Sequence, residues 1–291
     1  MSTFAGHVQR QGADDGWDGL FHSPTSIVKL PGGELIVADS GSHTLRLVEL
    51  GGQPKNKMVS SILGATSGTK PLWDTDLQLR RCAEKTGRTL LGKLTTVAGQ
   101  AGVQGCTDGG TSESLLASPS SLVLLSKCTV QSATVLFLQL GGCSEEPDGA
   151  LLLRSLSVMR GKASGKPNDF GKLAFRVSTL HRFSEAPRLG PASMLELQPR
   201  ELLLADGGAL KLLKLDKSSE PHQVTSSDVV DGAGRSIALR GGDVSLGMCM
   251  SGVVIIAHNT PGSSALYRLL APSLWKKADR KCDSLRPLRT L

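Results

Sequence analysis

The stretch GGELIVADSGSHTLRLVEL, residues 32–50, combines two patterns. An apolar, β-branched run ends at Asp39, a polar Ser-Gly-Ser-His turn follows, and apolar residues then resume around Arg46. Two apolar runs separated by a short polar turn predict a β-hairpin. A repeat of this hairpin along the chain would make it part of a larger, periodic fold.

The hairpin recurs. Residues 23–39, SPTSIVKLPGGELIVAD, align without a gap with residues 190–206, GPASMLELQPRELLLAD. Weaker copies begin at Pro119 and Asp243, each with a serine two positions later and an alanine fourteen positions later. A third strand follows each copy and a fourth type of strand precedes each; they begin, in that order, at Thr44, Ala150, Ala209 and Ala265, and at Ser2, Leu94, Arg176 and His222.

Four short antiparallel strands in each repeated unit predict an all-β fold, a β-propeller of four to six blades. The units lie near residues 2–50, 94–158, 176–216 and 222–270, with a degenerate unit or an insert at 58–92. We expect the N-terminal strand, residues 2–6, to pair with residues 266–270 and close the ring, since closure removes exposed sheet edges. The propeller then spans residues 1–274, with a basic loop insert at 159–172 and a basic tail at 275–291.

The first unit resembles an NHL repeat, the blade unit of NHL-type propellers. The resemblance rests on Ala5-Gly6, Asp15-Gly16, Pro24, the segment Val37-Ala38-Asp39-Ser40, and Arg46. The second unit keeps Ala98-Gly99, Asp108-Gly109 and Pro119, and the third keeps Pro191, Ala205-Asp206 and Lys211. The resemblance implies four-stranded blades, usually six in this family, on a propeller that commonly binds proteins and in some members binds RNA.

The repeated acidic and basic positions are interpreted as structural. Asp39 and Asp206 lie where a strand ends at a hairpin turn, where a carboxylate can accept hydrogen bonds from the following N–H groups. Arg46 and Lys211, a few residues later, are placed to interact with that carboxylate or with the neighbouring blade. A role that recurs in every repeat is usually architectural.

Catalytic signatures are weak, so we predict no enzyme, no catalytic residue, no metal and no cofactor. The six histidines lack H-x-H or H-x-x-x-H spacing, and no phosphate-binding loop or nucleophile elbow is present. The predicted innermost strands carry only Lys29 and Glu196 as charges. The six cysteines include no C-x-x-C pair, which favours reduced thiols.

The net charge of +7 arises in two segments, residues 158–176 and 275–291, which carry +4 each, and the rest of the chain is nearly neutral at −1. Such segments suit contacts with an acidic partner. The candidate partner contacts are Lys162, Lys166, Lys172, Lys276, Lys277, Arg280 and Lys281.

The sequence favours a non-catalytic protein-interaction scaffold that uses the faces and loops of a propeller. An alternative is an RNA-binding propeller that uses the basic insert and tail, and a second alternative is a metal-dependent propeller lyase or lactonase. We expect protein partners, with RNA as the other candidate, and a monomer. No apolar run is long enough to span a membrane, and no signal peptide is evident, so a cytoplasmic location is expected.

Overall fold

The computed structural model describes residues 4–51, 91–141, 151–161, 171–183, 192–206, 208–216, 223–230, 234–237, 239, 243–248, 253–260, 263–270 and 286–287. Within these ranges the strands form four antiparallel sheets, each built from a continuous part of the chain. The sheets are the blades of a β-propeller, which confirms the predicted all-β propeller class.

Blade 1 contains β1 (Pro24–Lys29), β2 (Leu35–Asp39), β3 (Thr44–Gly51) and β4 (Leu91–Ala98), in that spatial order. A single 3-10 turn, Ser40–Ser42, joins β2 to β3. Blade 2 contains β5 (Gly109–Gly110), β6 (Pro119–Leu124), β7 (Ser132–Leu140), β8 (Leu151–Arg160) and β9 (Leu173–Arg182), in the order β5-β9-β8-β7-β6.

Blade 3 contains β10 (Ser193–Gln198), β11 (Glu201–Ala205), β12 (Leu210–Leu215) and β13 (Val224–Asp228). Blade 4 contains β14 (Asp243–Met248), β15 (Val253–Thr260), β16 (Ser263–Leu270) and the two-residue strand β17 (Arg286–Pro287). The innermost strands are β1, β6, β10 and β14, and each of the first three packs against the next. No comparable packing joins β14 to β1 among the described strands.

Apolar side chains fill the spaces between consecutive blades. Ile36 and Leu45 of blade 1 pack with Phe137 of blade 2, and similar clusters join blade 2 to blade 3 and blade 3 to blade 4. Side chains alternate between the two faces of a strand, so each strand in the middle of a sheet contributes apolar side chains to the contact with the preceding blade and to the contact with the following blade. This explains why these strands are apolar along most of their length.

The second blade corrects one alignment. Pro24 pairs with Asp39 across β1 and β2, whereas Pro119 pairs with Gln139 across β6 and β7. The position of Asp39 is therefore taken by Gln139, and not by the residue after Ala133 as the ungapped comparison implies. The reason is a longer hairpin, with a turn in which Thr129 N donates a hydrogen bond to the Ser132 carbonyl at 2.8 Å.

The predicted pairing of residues 2–6 with residues 266–270 is not found among the described residues of the two segments. The Phe4 carbonyl accepts a hydrogen bond from Gly92 N of β4 at 3.0 Å, and β16 pairs with β15 and β17. Phe4 and Ala5 thus lie against blade 1, much as the end of β4 lies against blade 2. Gly6 (φ +85°) and Gly99 (φ +83°) turn the chain in the same left-handed conformation after each segment, which glycine adopts at little cost.

Three predicted segments fall mainly outside the described residues. They are the unit or insert at 58–92, described only at its last two residues, the central part of the insert at 159–172, and the tail at 275–291 apart from β17. In the described part of the chain, no helix is long and apolar enough to cross a membrane.

Candidate functional site

The first candidate site is a buried ionic network in blade 1. Arg46 lies on β3 opposite Val37, and its side chain is fully buried. One terminal nitrogen, Nη1, donates to Asp39 Oδ2 at 3.4 Å and to the Leu20 carbonyl at 3.1 Å. The other, Nη2, donates at 2.7 Å both to the Asp14 carbonyl and to Asp15 Oδ1.

Asp15 extends this network to the outer strand. Its carboxylate accepts hydrogen bonds from Thr96 N and Thr96 Oγ1, both at 3.0 Å, and the adjacent Gly16 forms an antiparallel bridge with Leu94 of β4. The side chain of Asp15 is about half exposed, so the network runs from the blade interior to solvent. Arg46 and Asp15 together fix the loop that precedes β1 onto the sheet.

Blade 2 contains the same network on different residues. Arg154 Nη1 donates to the Leu115 carbonyl at 2.9 Å and to Gln139 Oε1 at 2.7 Å. Its Nη2 donates to the Thr107 carbonyl at 2.9 Å and to Asp108 Oδ1 at 2.8 Å. Asp108 in turn accepts hydrogen bonds from the backbone and the hydroxyl of Thr179 on the outer strand β9.

The two networks differ at one acceptor. Asp39 also accepts a hydrogen bond from His22 N at 2.7 Å, and burial raises its pKa although Arg46 opposes the shift. Gln139 instead carries no charge, and its amide nitrogen donates to the Gly105 carbonyl at 2.9 Å and contacts the sulfur of Cys106 at 3.0 Å. Burial lowers the pKa of Arg154, and its ion pair with Asp108 opposes that shift.

Cys106 is disulfide-bonded, in contrast to the reduced thiols expected from the sequence, and its partner lies outside the described residues. Cys128 is a free thiol, and burial raises its pKa.

Blades 3 and 4 place other residues at these positions. Asp206 Oδ1 accepts hydrogen bonds from Gly208 N at 3.0 Å and Ala209 N at 2.8 Å, and Lys211 Nζ lies 4.0 Å from Asp206 Oδ2. In blade 4 the register puts His258 and Tyr267 at the corresponding sites, with ring centroids 6.3 Å apart. The residues at the positions of Asp39 and Arg46 therefore change from blade to blade, although the strands pair in the same register.

These networks have a structural role, in which a buried arginine holds a loop against its blade. Each terminal guanidinium nitrogen of Arg46 and Arg154 has two acceptors, so its hydrogen-bonding capacity is directed to the protein's own loops. Sequence reasoning identified Arg46 and Asp39 but missed Arg154 and Gln139. The repeated Asp15-Gly16 and Asp108-Gly109 pairs relate the two loops at an offset of 93 residues, but Gln139 and Arg154 lie 100 and 108 residues after Asp39 and Arg46, so no constant offset could have found them.

The loops that these arginines fix form the second candidate site. Residues 7–10 and residues 100–103 adopt matching turns, closed by the bridges His7–Arg10 and Gln100–Val103. A groove of about 640 Å³ is lined by residues 5–11 together with Phe21 and Pro24. Val8 on this loop is 85% exposed, which makes it the most exposed of the large apolar side chains described.

Both of the charges predicted on the innermost strands, Lys29 and Glu196, lie within the described residues. Glu196 on β10 accepts hydrogen bonds from Ser126 N at 2.7 Å and Arg200 N at 3.2 Å, so it joins blades 2 and 3. Lys29 ends β1. Among the described residues, no group of three or more His, Cys, Asp or Glu side chains is arranged to hold a metal ion.

Of the seven predicted partner contacts, only Lys172 lies within the described residues. Its side chain is exposed, and its carbonyl accepts a hydrogen bond from Gly161 N at 3.0 Å at the base of the insert. The other six lie outside the described ranges.

The chain matches no protein-family model and no curated protein sequence.

Proposed function

We propose that the chain is a non-catalytic protein-interaction scaffold built from divergent NHL-like blades. The NHL-like character is supported by Asp15, Asp39 and Arg46, which carry the sequence resemblance and meet in one network. Asp108 and Arg154 repeat this arrangement in the second blade.

The observation that carries the scaffold function is the groove beside Val8, which is also lined by Phe21, a contact of the buried Arg46. Its volume of about 640 Å³ lies in the range of ligand-sized clefts. Arg46 supports one wall of the groove, because its guanidinium lies 5.9 Å from the Phe21 ring and donates to the adjacent Leu20 carbonyl at 3.1 Å. That wall is therefore organised before a partner arrives. Preorganisation lowers the entropic cost of binding.

The lining chemistry suggests the class of partner. Val8 offers an exposed apolar contact, and His7 and Arg10 lie on the same exposed turn. A peptide segment with an apolar side chain next to an acidic one complements this surface. Loops on a rigid scaffold are common sites of recognition.

The experiment compares tagged full-length protein with a Val8→Glu variant after nuclease treatment of the native extract. We expect a set of proteins to be recovered with the unaltered chain and lost with Val8→Glu, because a carboxylate at that position repels an acidic partner. Val130→Glu, at an exposed apolar residue of the β6–β7 hairpin, is the matched control and should retain the set. Equal melting temperatures of the two variants show that both are folded.

Recovery of RNA instead of a nuclease-resistant protein set would contradict the scaffold function. RNA recovery that survives Val8→Glu and disappears when Lys276, Lys277, Arg280 and Lys281 are changed to glutamine would assign RNA binding to the basic tail. Phosphate contacts by that tail would also make binding fall steeply with added salt.

A further inference from the structure

A serine on each of the first three innermost strands joins its blade to the next blade. Each serine hydroxyl accepts a hydrogen bond from a backbone N–H on the following innermost strand. The pairs are Ser26 with Leu122 at 2.9 Å, Ser121 with Met194 at 2.7 Å, and Ser193 with Leu246 at 3.1 Å. The three bonds share one direction, with the hydroxyl always on the earlier blade.

The fourth serine in this series is Ser245 on β14. It occupies the same register as Ser193, since Ser193 pairs with Ala205 and Ser245 pairs with Ala257. Its side chain is exposed, and it makes no corresponding bond to a following blade within the described residues. In blade 1, Ile27 occupies the position equivalent to Met194 and Leu246, whose backbone N–H groups donate to the serines.

The exposed fractions of side chains on the third strands also show that blade 4 has no neighbouring blade on one face within the described residues. Leu45, Leu153 and Leu210 occupy one register on the third strand of blades 1, 2 and 3, and each is fully buried by the following blade. Leu266 occupies that register in blade 4 and is 48% exposed.

The first blade carries the complementary surface. Leu122 and Met194, at the donor register of blades 2 and 3, are 7% and 5% exposed. Ile27, at the same register of blade 1, is 59% exposed. Blade 4 thus presents the Ser245 hydroxyl, a hydrogen-bond acceptor, together with the exposed side chain of Leu266. Blade 1 presents Ile27, whose backbone N–H occupies the donor position and whose side chain is exposed.

We propose that a second copy of this chain docks at these ends, with blade 4 of each copy on blade 1 of the other. The occupant of the Ser245 face must supply an exposed apolar side chain and an N–H at the register of Ile27. Blade 1 of another copy supplies both, and its own blade 4 fills the reciprocal face. The interface continues the junction that already joins blades 1, 2, 3 and 4.

Two copies also contain a number of blades that can form a closed ring. Head-to-tail contacts form a ring when the rotation closes and an open filament when it does not. Propellers have about four to eight blades, so two sets of four reach the upper end of that range and three sets exceed it. The predicted assembly is an eight-bladed ring with a two-fold axis, and it departs from the monomer expected from the sequence. The inference does not depend on the groove at Val8.

The first test measures the mass of the full chain by sedimentation equilibrium. We expect twice the chain mass of 30.5 kDa. Leu266→Arg should raise the dimer dissociation constant by at least about tenfold, as for an interface residue of measurable importance. Val130→Arg changes an apolar residue that is 52% exposed on the β6–β7 hairpin, and it should leave the dissociation constant unchanged.

A chain that is monomeric at every concentration tested overturns the proposal, and so does a mass greater than two copies. Equal dissociation constants for Leu266→Arg and the unaltered chain overturn the assigned face. Far-ultraviolet circular dichroism and the melting temperature show whether each variant is folded.

The second test uses cysteine cross-linking and stays informative if Leu266→Arg does not fold. A Ser245→Cys chain is mixed with an Ile27→Cys chain that carries a different tag. We expect a disulfide-linked pair that contains both tags, above the background of the unaltered chain and of a Ser245→Cys and Val130→Cys mixture. Both substitutions are then placed in one chain at high dilution. A monomeric product with an internal disulfide would mean that the ring closes within one chain, and would overturn the proposal.

Discussion

The buried arginines of blades 1 and 2 hold their loops through the same donor nitrogens, yet their charges are balanced differently. The acceptor at the end of the second strand lies 3.4 Å from Arg46 Nη1 in blade 1 and 2.7 Å from Arg154 Nη1 in blade 2. Arg46 faces the buried carboxylate of Asp39 as well as the half-exposed Asp15. Arg154 faces the neutral amide of Gln139 and a single carboxylate, the half-exposed Asp108. The pattern of donors and acceptors is therefore kept while one buried charge is exchanged for a neutral acceptor.

This difference shows what the network requires. The guanidinium needs an acceptor at the end of the second strand and a carboxylate at the loop, but the first acceptor does not have to be charged. A buried charge is costly to leave unpaired, whereas a neutral amide that loses its partner costs less. Blade 1 should consequently be more sensitive than blade 2 to the loss of its arginine.

The largest expected effect is the loss of Arg46. Arg46→Met leaves Asp39 buried without a cation and should lower the free energy of unfolding by about 3–5 kcal/mol. Arg154→Met leaves Gln139 as a buried neutral group and should cost less, about 1–3 kcal/mol. Urea denaturation of both variants measures the difference, and equal losses would contradict the role assigned to the charge of Asp39.

A second variant tests the same pair by compensation. Adding Asp39→Asn to Arg46→Met removes the unpaired charge, so it should restore about 1–3 kcal/mol of the lost unfolding free energy. In blade 2, adding Gln139→Leu to Arg154→Met is the matched comparison and should restore less. A double variant of blade 1 that is no more stable than Arg46→Met would show that Asp39 is not held by Arg46.

Smaller and equal effects are expected at the threonines of the outer strands. Thr96 Oγ1 donates to Asp15 at 3.0 Å, and Thr179 Oγ1 donates to Asp108 at 2.9 Å. Thr96→Val and Thr179→Val should each cost about 0.5–1.5 kcal/mol of unfolding free energy, the usual range for one hydrogen bond. Unequal losses would show that the two loops are fixed with different strengths.

The smallest expected effect is a dependence on pH. Burial raises the pKa of Asp39 above its ordinary value of 3.8, so the native state binds this proton more readily than the unfolded state. The contribution of Asp39 to stability is then greatest below pH 3.8 and falls as the pH rises through the folded-state pKa. Asp39→Asn removes this term, so the stability of the unaltered chain relative to Asp39→Asn should fall over the same interval.

Unfolding free energies measured at intervals from pH 3.5 to 7 test this sign. Gln139→Asn is the control in blade 2, because its side chain is neutral in both states and its difference from the unaltered chain should have no contribution from this position. A difference for Asp39→Asn that grows in the opposite direction would mean that Arg46 lowers the pKa of Asp39 more than burial raises it.

Much of the blade pattern could be predicted from the sequence because it depends on local alternation and turn residues. The innermost strands appear at the predicted serines, and the third strands follow the predicted turns. These features are encoded within a few residues of each other. The strand register across a longer hairpin is not encoded locally. An alignment of the second copy without a gap therefore does not identify Gln139 as the equivalent of Asp39.

The ionic network was only half predictable. Arg46 and Asp39 are seven residues apart and can be related from one hairpin. Asp15 reaches Arg46 and Thr96 from a loop that is distant in sequence from both, so only tertiary packing reveals the contact. The expected pairing of residues 2–6 with residues 266–270 depended on the overall placement of the blades, which alternation and turn residues do not encode.

The one-way order of the serine bonds has an evolutionary consequence. Every junction presents the same acceptor on its leading side and the same donor register on its trailing side, as seen from Ser26 to Leu122 and from Ser193 to Leu246. A blade gained by duplication within the gene would find matching partners on both sides wherever it was inserted. Such an array can lengthen or shorten by whole blades without a new kind of contact, because its stability depends on nearest neighbours.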